Sequence, residues 1–262
     1  MRKPIAFLTA LVLLLGTLVL PPSMASAVDI VVVSAAASLK NAFEEIGALY
    51  ATPASALRPA FNFGASGDLM AQIKGGAPAD LFASAAAKDM DLLDAEGSLL
   101  PGTRVDFAAN EVVLVVPSAS TAVVTSFADL AKPAITRIAV GNPKTVPSGR
   151  YAEEVLANAG LPEAVRLKLV LAENVRQVLD YVARAEVDAG VIYATDAAIR
   201  PQEVKVAAVA PVGSHKPVIY PIAVLKGAPH PEAARAFVAA VRSDAGQAIL
   251  ARYGFKAVPA AK

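Results

Sequence analysis

The chain has 262 residues, no cysteine, and 24 basic against 23 acidic side chains, which gives a formal net charge of +1. The absence of cysteine excludes disulfide bonds, thiolate metal sites, a cysteine nucleophile and a lipid-bearing cysteine. The near-neutral charge argues against nucleic acid as a partner, because binding of nucleic acid requires a basic surface.

Residues 1–27 have the pattern of a secretory signal peptide. A positive start at Arg2 and Lys3 precedes an apolar stretch, residues 5–20, and a small-residue cleavage site that ends at Ala27. The apolar stretch is shorter than the roughly 20 residues that a membrane-spanning helix needs, which favours cleavage over the alternative of an uncleaved anchor. We therefore expect cleavage near Ala27 and a soluble, periplasmic mature protein of about 235 residues.

After this segment, apolar β-branched runs alternate with helical patterns, which is typical of an α/β fold. The predicted strands are 30–33, 60–63, 81–83, 111–117, 137–140, 167–171, 189–193, 205–208 and 218–224. The predicted helices are 38–50, 67–74, 88–96, 127–131, 148–159, 174–185, 194–199, 231–240 and 243–253.

The predicted strands 111–117 and 218–224 are long and apolar, and each follows a loop or a turn-rich segment. We therefore place a lobe boundary at the start of each of these two strands. We predict a lobe I built from residues 28–110 and 218–262, and a lobe II, residues 111–217, inserted between them. The chain then crosses between the lobes in two extended segments, which would form a hinge.

Four predicted helices begin after small or turn-forming residues, at or beside Ser38, Ser66, Ser148 and Val175. The first N–H groups of a helix have no partner within the helix and carry a partial positive charge that suits an anion. Taken alone, Ser38 fits an ordinary N-cap, and the other three positions fit simple turns or caps.

Tyr193 ends a predicted strand, at the sheet edge where α/β proteins bind ligands. Its hydroxyl is a single directed donor, although a core tyrosine with its hydroxyl at the rim explains the position equally simply. Together with the four helix starts, it places two candidate positions in lobe I and three in lobe II. That distribution predicts an anion enclosed between the lobes and held by neutral donors.

Patterns for catalysis are weak in this sequence. His215 and His230 lie in turn-like contexts without metal-ligand spacing, and we expect solvated loop histidines. An exported hydrolase with Ser38 or Ser66 as nucleophile stays an alternative, but it requires a base that neither histidine is placed to supply.

Charged residues near the candidate site have two interpretations. Asp89, Asp91 and Asp94 follow one another on a predicted helix, and we expect a solvated face instead of a catalytic carboxylate pair. Arg150 and Arg176 follow two of the helix starts, where they either raise the local potential or are simply surface charges.

Seven motifs run in order along nearly the whole mature chain: AAASL (35–39), FGASG (63–67), GAPADLF (76–82), VGNPKTVPSGRYA (140–152), ENVR (173–176), GVIYATDA (190–197) and RYGF (252–255). With these motifs the sequence resembles the periplasmic molybdate-binding proteins of bacterial ABC transporters. The resemblance implies a two-lobed type II periplasmic-binding fold, each lobe a mixed sheet flanked by helices, with two crossing strands and an oxyanion in the cleft.

The resemblance also implies a set of ligand-binding residues. Members of this family hold a tetrahedral anion through serine hydroxyls, backbone N–H groups and a tyrosine hydroxyl, and by motif these fall on Ser38, Ser66, Ser148, Val175 and Tyr193. Relatives often carry alanine at position 148, which favours the backbone N–H over the hydroxyl there.

We therefore expect a binding protein without enzymatic activity or cofactor, which captures molybdate, and also tungstate, and delivers it to the membrane permease of an ABC transporter. Molybdenum would be bound only as the oxyanion, and the protein would act as a monomer. The main alternative is a binding protein for sulfate or thiosulfate; the exported serine hydrolase is the other. Phosphate is disfavoured, because its proton needs an acceptor carboxylate that none of the five positions supplies.

Overall fold

The computed structural model describes residues 29–51 and 57–259. The predicted signal peptide and its cleavage site near Ala27 lie outside these ranges. Among the residues described, no helix combines the length and the apolar character needed to cross a membrane.

The described chain alternates strands and helices from end to end. The strands are β1 (Asp29–Ala36), β2 (Leu57–Gly64), β3 (Leu81–Ala83), β4 (Val105–Asn110), β5 (Val112–Pro117), β6 (Ile138–Gly141), β7 (Leu169–Ala172), β8 (Ala189–Tyr193), β9 (Val204–Val209) and β10 (Val218–Val224). The α-helices are α1 (Lys40–Tyr50), α2 (Ser66–Lys74), α3 (Ala87–Ala95), α4 (Pro147–Asn158), α5 (Val175–Ala183), α6 (Ala194–Ala198), α7 (Pro231–Arg242) and α8 (Asp244–Arg252). Short 3-10 turns cover Ala37–Leu39, Phe127–Ala131 and Glu163–Lys168.

The strands form two mixed five-stranded sheets, in the orders β2-β1-β3-β10-β4 and β7-β6-β8-β5-β9. In the first sheet β1 pairs in parallel with β2 and β3, whereas β10 runs antiparallel to β3 and β4. In the second, β6 pairs in parallel with β7 and β8, and β5 is antiparallel to both of its neighbours. The predicted α/β class is confirmed.

The chain passes between the two sheets twice. Glu111 alone separates the end of β4 from the start of β5, and residues 210–217 connect β9 to β10. The first sheet therefore contains strands that precede the second sheet in the sequence, β1 to β4, and one strand that follows it, β10. The lobe boundaries themselves stay a prediction, and the names lobe I and lobe II are used below for the first and second sheets with their helices.

Each sheet is covered by helices whose apolar faces it buries. In lobe I, Phe43 of α1 contacts Phe237 of α7 and Phe107 of β4, with ring centroids 5.6 and 5.7 Å apart. In lobe II, every residue of β5 is buried, as expected for a strand covered on both faces. Burial of these apolar side chains provides the main stabilisation of both lobes.

The sequence-based prediction missed one strand and misplaced the start of another. Strand β4 was not predicted, because VDFAAN contains two polar residues and only one β-branched residue; its ladder to β10 supplies the partner that the local sequence does not indicate. The predicted strand 167–171 begins too early, because residues 163–168 form a 3-10 turn and β7 starts at Leu169.

Candidate ligand-binding site

The five residues expected to bind an anion all line one small cavity between the lobes. Ser38 and Ser66 come from lobe I, and Ser148, Val175 and Tyr193 come from lobe II. The space left empty by protein atoms here is about 200 Å³, below the roughly 300–1,000 Å³ of pockets for drug-sized ligands, which favours a compact ion over an extended organic substrate.

Three helices direct their first turns at the cavity. Ser66 is the first residue of α2, Ser148 the second residue of α4 and Val175 the first residue of α5. The N–H groups at these positions have no acceptor within their own helices. Asn174 caps α5 by accepting from the next two N–H groups, those of Arg176 and Gln177, so its side chain does not occupy the N–H of Val175.

Ser38 is not a helix N-cap, and that prediction is wrong. It lies inside the 3-10 turn that follows β1, and α1 begins only at Lys40. The tight turn after β1 keeps Ser38 buried at the cavity, where its Oγ lies 3.0 Å from the hydroxyl oxygen of Tyr220.

Two hydroxyl groups at the cavity have no hydrogen-bond partner. Ser148 Oγ and Tyr193 Oη are among four such buried side-chain atoms in the described residues, and both residues line this cavity. A buried polar group without a partner costs about 1–3 kcal/mol. Their placement therefore favours a ligand that accepts hydrogen bonds from both.

The hydroxyl of Ser66 has a different environment. Its Oγ accepts a hydrogen bond from the backbone N–H of Ala85 at 3.0 Å. Because a lone pair of the oxygen is engaged by this N–H, the hydroxyl proton of Ser66 is left to donate into the cavity.

Burial keeps the tyrosine hydroxyl protonated. Tyr193 is fully enclosed, and the loss of solvent raises its pKa well above the ordinary value of a phenol. Tyr193 is therefore a neutral donor over the whole physiological pH range.

The two arginines beside the helix starts do not line the cavity; both connect the lobes. Arg150 of α4 pairs with Asp89 of α3 at 2.5 Å. The guanidinium of Arg176 pairs with Asp196 at 2.6 Å and also donates to Asn41 Oδ1 and to the carbonyl oxygen of Ser38.

The expectation of a solvated face for Asp89 is wrong. Asp89 is only 2% exposed, and the guanidinium of Arg150 from lobe II pairs with its carboxylate. Asp91 and Asp94 do lie at the surface, where both pair with Arg104. The local sequence of α3 gives no indication of this difference, since the partner of Asp89 comes from the other lobe.

Neither histidine is placed as a base for the cavity serines. His215 packs against the ring of Tyr151, with centroids 5.6 Å apart, and His230 precedes α7; neither lines the cavity. Both are partly buried instead of fully solvated.

The chain is similar to known bacterial binding proteins over most of its length. Residues 31–256 match the family model for bacterial extracellular solute-binding protein. The molybdate-binding protein ModA of Haemophilus influenzae is 36% identical over 233 residues, which cover 87% of this chain and 90% of that protein. The putative ABC transporter substrate-binding lipoprotein YvgL of Bacillus subtilis is 39% identical over 225 residues, 86% of this chain and 85% of that protein.

A solved structure shares the fold as well. The periplasmic molybdate-binding protein of Azotobacter vinelandii aligns with a TM-score of 0.78 and 25% identity, covering 87% of this chain and 99% of that one. The predicted type II periplasmic-binding fold is thereby confirmed, and the matched family consists of binding proteins, as expected, and not of enzymes. The chain belongs to the family of bacterial extracellular solute-binding proteins.

Proposed function

We propose that this protein captures molybdate in the cavity between its lobes and delivers it to the membrane permease of an ABC transporter. One observation carries the proposal: hydroxyl donors and helix N-termini from both lobes meet at one small cavity, and two of those hydroxyls have no hydrogen-bond partner among the described residues. The names of the relatives from Haemophilus influenzae and Azotobacter vinelandii, both molybdate-binding proteins, support the choice of anion.

Neutral donors are sufficient to hold a dianion here. Hydrogen bonds to a charged acceptor contribute about 1.5–3 kcal/mol each, and the first turns of α2, α4 and α5 add the favourable field of the helix dipole. No arginine or lysine lines the cavity among the described residues. The anion therefore exchanges its water shell for hydrogen bonds and does not bury a counter-charge.

The donor character of the cavity selects against a protonated anion. Hydrogen phosphate carries an O–H group that needs an acceptor, and no carboxylate side chain is among the described cavity residues. Ser66 Oγ already accepts from Ala85. A fully deprotonated tetrahedral dianion is the ligand class that satisfies these groups.

Anion size then separates the remaining candidates. Molybdate, tungstate and sulfate are all tetrahedral dianions, so they present the same charge and the same acceptor geometry. A fixed set of donors fits one radius best, and we propose that molybdate and tungstate are preferred over sulfate and thiosulfate.

The cellular setting follows from the same proposal. The matched family is extracellular, and the Azotobacter vinelandii relative is periplasmic by name. We propose that residues 1–27 are removed during export and that the mature protein works as a monomer in the periplasm, where the closed lobes form the surface that the permease recognises.

Calorimetry on the purified exported protein tests the ligand. Molybdate and tungstate should bind with similar, high affinity, sulfate and thiosulfate much more weakly, and phosphate not at all. Binding of sulfate without any binding of molybdate would overturn the proposal.

A serine-directed phosphonate tests the alternative of an exported hydrolase. It should not label the protein; labelling of Ser38 or Ser66 would favour the hydrolase instead.

A further inference from the structure

We propose that Asn110 and Tyr220 are positioning residues that turn the hydroxyl proton of Ser38 into the cavity. The inference rests on the proposed function, since it explains how Ser38 is kept a donor to the anion. Neither residue lines the cavity among the described residues, and neither belongs to the predicted binding set.

The backbone of Glu111 sets the orientation of the Asn110 amide. Glu111 N lies 2.9 Å from Asn110 Oδ1, and a backbone N–H can only donate. The oxygen of the amide must therefore face Glu111, and the NH₂ group faces the opposite direction.

The NH₂ group of Asn110 then supplies both of its protons to hydroxyl oxygens. Asn110 Nδ2 lies 2.8 Å from Thr195 Oγ1 and 3.2 Å from Tyr220 Oη. Because nitrogen in this group has no lone pair to offer, Tyr220 Oη is the acceptor of the second bond. The proton of the Tyr220 hydroxyl is thus left for a different neighbour.

Ser38 Oγ is the acceptor that the Tyr220 proton can reach. The two oxygens are 3.0 Å apart. Among the described residues, Tyr220 Oη has hydrogen bonds to Asn110 Nδ2 and Ser38 Oγ, and of these two atoms only Ser38 Oγ can accept. The ring of Tyr220 is fully buried and contacts the rings of Phe107, Tyr193 and Phe255, with centroids 6.3, 6.0 and 5.4 Å away. Burial also raises the pKa of Tyr220 well above its usual value, so the phenol keeps its proton.

The direction of the Ser38 proton follows from the other two bonds. If Ser38 donated to Tyr220 instead, the Tyr220 proton would be buried without an acceptor, which is unfavourable. With Tyr220 as the donor, the Ser38 O–H points at the cavity, where an anion accepts it. Hydrogen bonds in such a chain polarise one another, so the bonds from Asn110 to Tyr220 and from Tyr220 to Ser38 make the Ser38 hydroxyl a stronger donor.

The position of Asn110 connects this chain of hydrogen bonds to both lobes. Asn110 is the last residue of β4, directly before the crossing into lobe II, whereas Thr195 belongs to α6 of lobe II and Tyr220 to β10 of lobe I. The amide therefore holds its two acceptors in place only when the lobes have this relative orientation.

A double-mutant cycle tests the inference, with molybdate affinity measured by calorimetry. Tyr220→Phe should weaken binding by about 3- to 10-fold in the otherwise wild-type protein, because Ser38 loses the donor that orients it. In the Ser38→Ala background, Tyr220→Phe should cause almost no further loss. Tyr253→Phe, which removes a hydroxyl bonded to Glu45 near the surface, should leave affinity unchanged.

Asn110→Asp gives a second variant of nearly the same shape. Its carboxylate would accept the Tyr220 proton, so Tyr220 Oη would accept from Ser38 and the Ser38 O–H would turn away from the cavity. The loss of affinity should be larger with Ser38 present than in the Ser38→Ala background, where only charge repulsion remains.

Three outcomes are distinguishable. Coupling between Ser38 and either partner supports the positioning role. Equal losses in both backgrounds, for both variants, would overturn it while molybdate binding by the wild-type protein left the proposed function intact. A wild-type protein that does not bind molybdate would overturn the proposed function and this inference together.

Discussion

The backbone N–H of Gly67 donates across the cleft to the carbonyl oxygen of Thr145, over an N···O distance of 2.9 Å. Gly67 is the second residue of α2 in lobe I, and Thr145 directly precedes the N-cap of α4 in lobe II. A Cβ atom at position 67 would lie 2.7 Å from this oxygen and 2.8 Å from the Cα of Thr145. Glycine therefore allows the helix starts that carry Ser66 and Ser148 to approach each other.

Gly67→Ala should interfere with closure more than with folding. The clash lies between lobes, so it is relieved when they separate, and overpacking of about 1–3 kcal/mol corresponds to a loss of affinity of about 5- to 150-fold. Calorimetry should show this loss, and small-angle scattering should show a more open protein in the presence of molybdate. Gly227→Ala, where an added Cβ meets no atom within 4 Å, is the matched control. Wild-type affinity in Gly67→Ala would contradict a role for this contact in closure.

Tyr193→Phe should reduce affinity and at the same time leave the ligand-free protein as stable as before or more so. The hydroxyl is buried and has no hydrogen-bond partner in the described part of the chain, so its removal eliminates an unsatisfied polar group from the free state. The bound state loses a charge-assisted hydrogen bond of about 1.5–3 kcal/mol. Thermal unfolding with and without molybdate measures both effects. A drop in the stability of the free protein with unchanged affinity would indicate a purely structural tyrosine.

The cavity serines should separate by their effect on stability. Ser38→Ala and Ser66→Ala should each weaken binding by about 1–3 kcal/mol. Ser66→Ala should also lower the free energy of unfolding, because the N–H of Ala85 loses its acceptor. Ser148→Ala removes an unpartnered oxygen and should not lower it. Chemical denaturation of the ligand-free variants measures the free energy of unfolding, and calorimetry measures the affinity for molybdate. Unchanged affinity in both Ser38→Ala and Ser66→Ala would place the anion elsewhere.

The ion pair between Arg150 and Asp89 should stabilise the closed lobes. Removing one partner from a buried pair costs about 3–5 kcal/mol, but here opening of the cleft would return Asp89 to water and limit the loss. We expect Arg150→Met to weaken molybdate binding at least about tenfold, mainly through faster release.

Two further variants make the Arg150 result specific. Arg150→Met combined with Asp89→Leu should recover part of the affinity, since no carboxylate is then buried alone. Arg104→Met breaks a surface pair with Asp91 and Asp94 within lobe I and should leave binding unchanged. Equal affinity losses for Arg104→Met and Arg150→Met would argue against a closing contact.

Affinity for molybdate, measured by calorimetry, should be constant between about pH 7 and pH 9, because burial raises the pKa of Tyr193 and the other donors at the cavity do not ionise.

The free energy of unfolding, in contrast, should depend on pH above this range. Burial raises the pKa values of Tyr151, Tyr193 and Tyr220, so these phenols lose their protons at about pH 10 in the unfolded chain and only at higher pH in the folded one. The free energy of unfolding should therefore fall as the pH rises past about 10. Tyr193→Phe should make this fall of the free energy of unfolding with pH less steep, as measured by chemical denaturation at several pH values. An unchanged dependence on pH would contradict a raised pKa for Tyr193.

Local sequence was enough to predict the helix starts at Ser66, Ser148 and Val175, because free N–H groups follow from where a helix begins. It was less reliable at Ser38, where a 3-10 turn delays α1 by two residues, so that Ser38 reaches the cavity from this turn and not from a helix N-cap. Strand β4 was missed for a related reason, since its stability comes from pairing with β10.

By itself the sequence determined the α/β alternation and the candidate set of neutral donors. These properties depend on residue type and short-range spacing, which are present before the chain folds. Tertiary structure alone decided the partners: Tyr220 for Ser38, 182 positions away, and Arg150 for Asp89, 61 positions away. The physical reason is that hydrogen bonds and ion pairs form between whichever groups the packed lobes bring within about 3 Å, and no periodicity in the sequence encodes that contact.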